Sequence, residues 1–140
     1  MQLITIEILL QCATTKKYQI KDVPADVIAN LTNLAILLNN IETDYGKELK
    51  FTCSYRDKEH NAKVGGAKNS SHLYGLAVDI QDLKNELFNW FIANKEEKAN
   101  KYNVFLEDII KKDGSKRNWL HITKRQFLSY KEGGTRVFKP

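Results

Sequence analysis

Two cysteines, two prolines and seven glycines in 140 residues leave little room for several classes of protein. Cys12 and Cys53 are too few for the multi-bridge framework of a small secreted domain and for an all-thiolate zinc site, so both read as free, buried thiols in apolar surroundings, where thiols are inert. The scarcity of glycine and proline excludes collagen and low-complexity chains. No run approaches the ~20 apolar residues of a membrane helix, since the longest candidate, Leu3 to Leu10, is interrupted by Thr5 and Glu7. Met1 and Gln2 lead straight into that stretch without the basic region or cleavage site of a secretory signal, so synthesis in the cytoplasm is expected. One ordinary domain over residues 1–140, built on one core, accounts for the length. Acidic residues are also in short supply: 22 Lys and Arg against 17 Asp and Glu leave a formal charge of +5, which favours an anionic partner such as nucleic acid, a membrane surface or a cell-wall polymer.

The apolar pattern divides the chain into helices first and strands later. Ile4 to Leu10 is a short apolar segment of undecided type, followed by a Thr- and Lys-bearing stretch that reads as loop. From Pro24 onward Val27, Leu31, Leu34, Leu38, Ile41 and Tyr45 recur at spacings of four and three, which predicts an amphipathic helix ending at Gly46. Leu49, Phe51 and Cys53 alternate with polar residues as a half-buried strand does. A short helix is expected from Asp57 to Val64, stopped by Gly65-Gly66. Leu76 to Ile80 reads as a strand with Ala77 and Asp79 on one face and Leu76, Val78 and Ile80 on the other. Leu83, Leu87, Trp90 and Phe91 give a second amphipathic helix that yields to the charged run Lys95 to Lys98. Strands are then expected at Val104 to Leu106 and Trp119 to Thr123, and a closing hairpin from Gln126 to Tyr130 and Thr135 to Phe138. The fold class is α+β, with helices packed on one face of a small antiparallel sheet.

Histidine is rare enough for each to be weighed singly. His60, between Glu59 and Asn61, reads as a surface residue of a short helix. His72 sits in a polar loop, and Asp79 follows it by seven residues at the far end of that loop-to-strand turn. His121 lies in the strand Trp119 to Thr123, on the face opposite Leu120 and Ile122. Two imidazoles and one carboxylate are the protein ligands of a catalytic zinc, which keeps its fourth position for water. The same three residues could equally be hydrogen-bonded polar groups, because spacing alone is a weak signal.

The residues around them say more. Ser54-Tyr55-Arg56-Asp57, Asn61, Val64-Gly65-Gly66-Ala67, Asn69-Ser70 and His72 to Ile80 stand in one register. This resembles the zinc D,D-carboxypeptidase-like family of peptidoglycan peptidases, especially its small phage and prophage endolysin-type members. The family pattern has a Ser-Gly-Tyr-Arg turn, an Asn, a Val-Gly-Gly-Ala turn, and Ser-x-His with six residues before Asp; all but the first Gly is matched. The likeness extends over the opening apolar segment, the Pro-led helix, the Trp-x-His strand and the closing Gly-rich stretch. It implies a Hedgehog/D,D-peptidase-type α+β domain whose antiparallel sheet carries the metal. It implies Zn2+ held by His72, Asp79 and His121, with Arg56 binding a substrate carboxylate and Ser70 beside it in the groove. It also implies a monomeric hydrolase acting on the stem peptide of bacterial peptidoglycan after release to the wall.

The chain departs from that pattern in two places. Many relatives carry an acid three positions before the last histidine, where this chain has Asn118, and asparagine takes no proton from water. The acid is then expected on the preceding strand, where the register favours Asp108 over the alternative Glu107, with Asp113 in the turn a distant third. Adjacent strand residues point to opposite faces, so only one of the pair can meet the metal. The other departure is Cys53-Ser54 in place of Ser-Gly. Asn118 motivates a second reading, a wall-binding module of the same fold without turnover. A basic nucleic-acid-binding domain, with Tyr55, Tyr74 and Trp119 to stack on bases, lacks any recognised motif, and its lysines are dispersed.

Overall fold

The computed structural model describes residues 1–12 and 16–140; the expected loop between the first apolar segment and Pro24 lies partly outside them, at residues 13–15. The undecided first segment is a helix, α1 (Ile6–Gln11), because Thr5 Oγ1 accepts the Ile8 amide as its N-cap. Asn39 fixes where it starts by bonding both the amide and the carbonyl of Ile4. The Pro-led helix is α2 (Ala25–Tyr45), closed by Gly46 in the left-handed conformation, and its buried stripe of Val27, Leu31, Leu34, Leu38 and Ile41 is the one the spacing predicts. Asp57 caps α3 (Lys58–Lys63) by accepting the His60 amide at 2.7 Å. His60 itself is buried rather than on the surface.

The sheet runs β1 (Phe51–Cys53), β2 (Ala77–Gln81), β4 (Trp119–Thr123), β3 (Phe105–Glu107) and β5 (Val137–Phe138) from edge to edge. Its register divides the strands by face. Val78 pairs with Ile122, Ile80 with Leu120, and Leu106 with Ile122, and all five are at most 1 % exposed against the helices. The alternate residues put Cys53 beside Asp79, Asp79 beside His121, and Phe138 beside Glu107 on the opposite face. One face therefore supplies the core and the other the chemistry.

The expected hairpin does not form. Val137–Phe138 pairs parallel to β3, so the sheet is mixed rather than wholly antiparallel. Residues 126–130 make a turn in which the Tyr130 amide donates to the Phe127 carbonyl. Phe127 and Tyr130 both pack edge-on against Phe105, while Leu128 points to solvent, a spacing of three that alternation misread. Buried Arg136 holds β5 in place by donating to the Asn100 and Asn103 side chains and stacking over Phe105.

The helix α4 (Glu86–Lys101) contains the charged run, but Ala93 to Glu96 leave helical geometry, so two helical pieces meet there. Its start is capped from outside: the buried Asp82 carboxylate accepts the Leu87 and Phe88 amides at 3.0 Å each. Asn85, at positive φ, reaches from the same turn to the Arg117 carbonyl at 2.8 Å and so ties α4 to the approach of β4. No helix among the described residues is long and apolar enough to cross a membrane. Asp82→Ala leaves two buried amides unpaired and should cost about 2 kcal/mol in a urea titration; an unchanged midpoint would show that water replaces the cap.

Candidate metal centre

His72 stands in a 3-10 turn, Ser71–Tyr74, whose N-cap Ser70 accepts the His72 amide at 3.2 Å. The turn is tied to the strand end before it, because the Arg56 amide donates to the His72 carbonyl at 3.1 Å. It then passes into β2 at Gly75, φ 72°, where a Cβ would stand 3.0 Å from the Val27 carbonyl and from Leu31. Small size at this position serves the contact with α2, and only glycine fits both the angle and the space.

The His72 ring is 2 % exposed. Its Nδ1 lies 2.5 Å from the Ser54 carbonyl, which can only accept, so Nδ1 carries a proton and the neutral ring bares its lone pair at Nε2. Nε2 lies 3.3 Å from Asp79 Oδ1 yet at an angle that makes no hydrogen bond, and it has no other partner among the described residues. From the neighbouring strand His121 brings Nδ1 to 2.8 Å from the same Asp79 oxygen. The two imidazoles meet edge to face, 5.0 Å between centroids. An orphaned buried nitrogen and a second imidazole nitrogen, each near the same carboxylate oxygen, are of the donor types that suit a divalent metal with borderline ligand preference.

Cys53 does not lie in the apolar surroundings expected of it. Its Sγ accepts from Arg56 Nε at 3.2 Å and lies 3.8 Å from His72 Nδ1. Burial pushes the thiol up, but His72 and Arg56 outweigh that effect and leave it below its ordinary range. Cys53, His72 and Asp79 each bring a donor atom within 4.8 Å of the others. Alternation with Leu49 and Phe51 puts Cys53 on the apolar face; a register irregularity between Phe51, which pairs with Ile80, and Cys53 brings the thiol opposite Asp79 instead. Burial is the chief cause that pushes the Cys12 thiol up to about 12.

Arg56 lies against the cluster with most of its donors committed inside the protein: Nε to Cys53, Nη1 to Asn61 Oδ1 at 3.0 Å, and Nη2 4.0 Å from Asp79 Oδ2. Gly66 makes that packing possible, because a Cβ there would fall 2.0 Å from Asn61 Oδ1 and 2.6 Å from Arg56 Nη1.

Of the two candidate acids, β3 carries only Glu107, on the face of His121. Its carboxylate takes Arg117 Nη1 at 2.7 Å, and Arg117 in turn stacks over Trp119 at 4.8 Å. Asp108 lies past the strand end and is not brought to the cluster: it accepts the Ile110 amide and pairs with Lys139 at 2.9 Å. Asp113 is spent on Ser115 in the turn. A cleft of about 220 Å³ opens directly on Asp79, walled by Trp119, Asn118, Leu83 and Thr52.

The sequence matches the family model of peptidase M15 over residues 2–122, a span that includes His72, Asp79 and His121. The chain belongs to the peptidase M15 family. No curated protein matches it. Membership makes the chain a metal-dependent peptidase, and the cluster on the polar sheet face is where its residues could hold the ion.

Without metal, the cluster couples stability to pH. Burial lowers His72, but the Asp79 and Cys53 side chains outweigh it and raise the imidazole to about 9, while burial raises Asp79 and the two imidazoles hold it well below the usual carboxylate range. His72 therefore stabilises the fold fully below about pH 6.5 and loses that contribution as pH climbs to about 9; Asp79 contributes above about pH 4 and loses it in acid. Melting curves of chelated protein should fall between pH 6.5 and 9.5, and Asp79→Asn should flatten the fall. Identical slopes in both proteins would show that the pair is not coupled.

Proposed function

We propose that the chain is a zinc peptidase hydrolysing an amide bond in peptidoglycan stem peptides, and that it serves cell-wall lysis or remodelling. What carries this reading is the orphaned, 2 % exposed Nε2 of His72, which sits with Asp79 and His121 in a chain of the M15 family. His72 Nε2, an Asp79 oxygen and His121 Nδ1 would hold the ion. Bound there, zinc lowers the pKa of its water towards 7 and polarises the scissile carbonyl. No covalent nucleophile is required.

The protein's own residues supply orientation, charge and proton movement. The Ser54 carbonyl holds the His72 tautomer, as carbonyl and carboxylate partners do for ligating imidazoles generally. Glu107, beside His121 on the polar face, is the acid best placed to take a proton from the attacking water and pass it to the leaving amine; Arg117 orients its carboxylate. Asp108 is the weaker candidate because its lone pairs are engaged by Ile110 and Lys139. Arg56 Nη2 offers a charged donor at the edge of the cluster for a substrate carboxylate, and Ser70 keeps the turn beneath it in shape. The +5 charge would draw the protein to an anionic wall, an attraction that salt weakens.

Purified protein incubated with muropeptides and zinc, with products read by mass spectrometry, should cleave one amide bond. Glu107→Gln should lower kcat by about 10²- to 10⁴-fold while keeping the metal, and Asp108→Asn should stay within a few-fold of the parent. Binding to sacculi with unchanged muropeptides under every condition would replace hydrolysis by the wall-binding reading motivated by Asn118.

A further inference from the structure

A cleft of about 440 Å³ lies beside the metal cluster on the α3 side. Lys58, Lys68 and Tyr74 line it, and its wall at Asn61 and Gly66 is shared with Arg56. Asn61 receives Arg56 Nη1, and the missing Gly66 side chain would otherwise stand between the cleft and that guanidinium. The cleft and the metal residues are thus two short contacts apart, through Asn61 and Arg56.

Its electrostatics are one-sided. No acidic residue lines it. The neighbouring acids of α3 are engaged elsewhere: Asp57 takes Lys16 and the His60 amide, and Glu59 pairs with Lys63 at 3.4 Å. Lys58 and Lys68 have no ion-pair partner among the described residues, and Arg125 adds a third cation over the Tyr74 ring at 5.4 Å. Arg56 has turned most of its donors inward, so these outward lysines are the cations that a ligand leaving the metal cluster would meet.

We propose that this cleft is a substrate subsite in which Lys58 and Lys68 bind a peptide carboxylate, with Tyr74 flanking the chain that bears it. The proposal rests on the peptidase reading and deepens it: the preferred substrate is an acidic peptide carrying a carboxylate apart from the scissile amide. That carboxylate has two possible sources, the C-terminus and the free α-carboxylate of an acidic residue linked through its side chain. Exposed lysine–carboxylate contacts are individually weak, so the pair sets affinity and not the rate of chemistry.

The probe is the synthetic tetrapeptide L-alanyl-γ-D-glutamyl-L-lysyl-D-alanine and two amidated forms, one blocked at the C-terminus and one at the glutamyl α-carboxylate. Binding to zinc-loaded protein is measured by calorimetry, for the parent and for Lys58→Gln/Lys68→Gln, whose exposed side chains can change without loss of fold. The double variant should bind the free tetrapeptide roughly 3- to 20-fold more weakly. Amidation at the occupying carboxylate should weaken the parent equally and abolish the difference between the two proteins, and the form that does so names the source. Equal binding of every peptide by parent and variant, or no binding at all, would overturn the proposal. Lysine-dependent binding without cleavage of any muropeptide would reject the hydrolase and leave the subsite standing; cleavage by the variant with unchanged KM would do the reverse.

Discussion

A buried imidazole that gives its Nδ1 proton to the Ser54 carbonyl has one use left for its other nitrogen. That single hydrogen bond fixes the tautomer of His72, bares Nε2 towards Asp79, and turns three polar side chains into a set of electron-pair donors. Burying such a nitrogen without a partner costs about 1–3 kcal/mol. The surrounding structure holds it there from three sides: the Ser70 cap, the Arg56 amide on the His72 carbonyl, and the left-handed Gly75 pressed against α2.

The sheet does the rest by division of labour. Alternation along β2 and β4 sends Val78, Ile80, Leu120 and Ile122 into the helices and leaves Asp79 and His121 adjacent on the other face, so the force that folds the domain also sets this carboxylate and imidazole side by side. The same alternation leaves Glu107 on the face of His121, whereas Asp108, past the end of β3, bends away to Ile110 and Lys139. Register thereby separates two neighbouring acids that composition alone leaves equal.

Much of this was legible in the sequence where a strong period or a local motif governs. The stripe from Val27 to Ile41, the Asp57 cap and the strand faces at Asp79 and His121 follow from local rules. What failed was governed by distant contacts. Nothing near Val137 announces that it pairs in parallel with Leu106, 31 positions earlier, because the cause is a buried Arg136 anchored on Asn100 and Asn103. The cap on α4 comes from Asp82, outside the usual position, and was invisible for the same reason. Cys53 was misjudged by its apolar strand neighbours, when its companions are Arg56 and His72, brought by a turn and a loop.

His72 and Asp79 have two donor-bearing neighbours on the polar face: Cys53, which brings its sulfur within 4.8 Å of both, and His121, whose Nδ1 lies 2.8 Å from Asp79 Oδ1. X-ray absorption at the zinc edge separates them, since zinc–nitrogen and zinc–oxygen bonds lie at about 2.0–2.2 Å and zinc–sulfur at about 2.3 Å. With His72, Asp79 and His121 holding the ion, the shell is nitrogen and oxygen only, with the multiple scattering of two imidazoles, reduced to one in His121→Ala. A sulfur scatterer in the parent protein, or two imidazoles retained without His121, would contradict it.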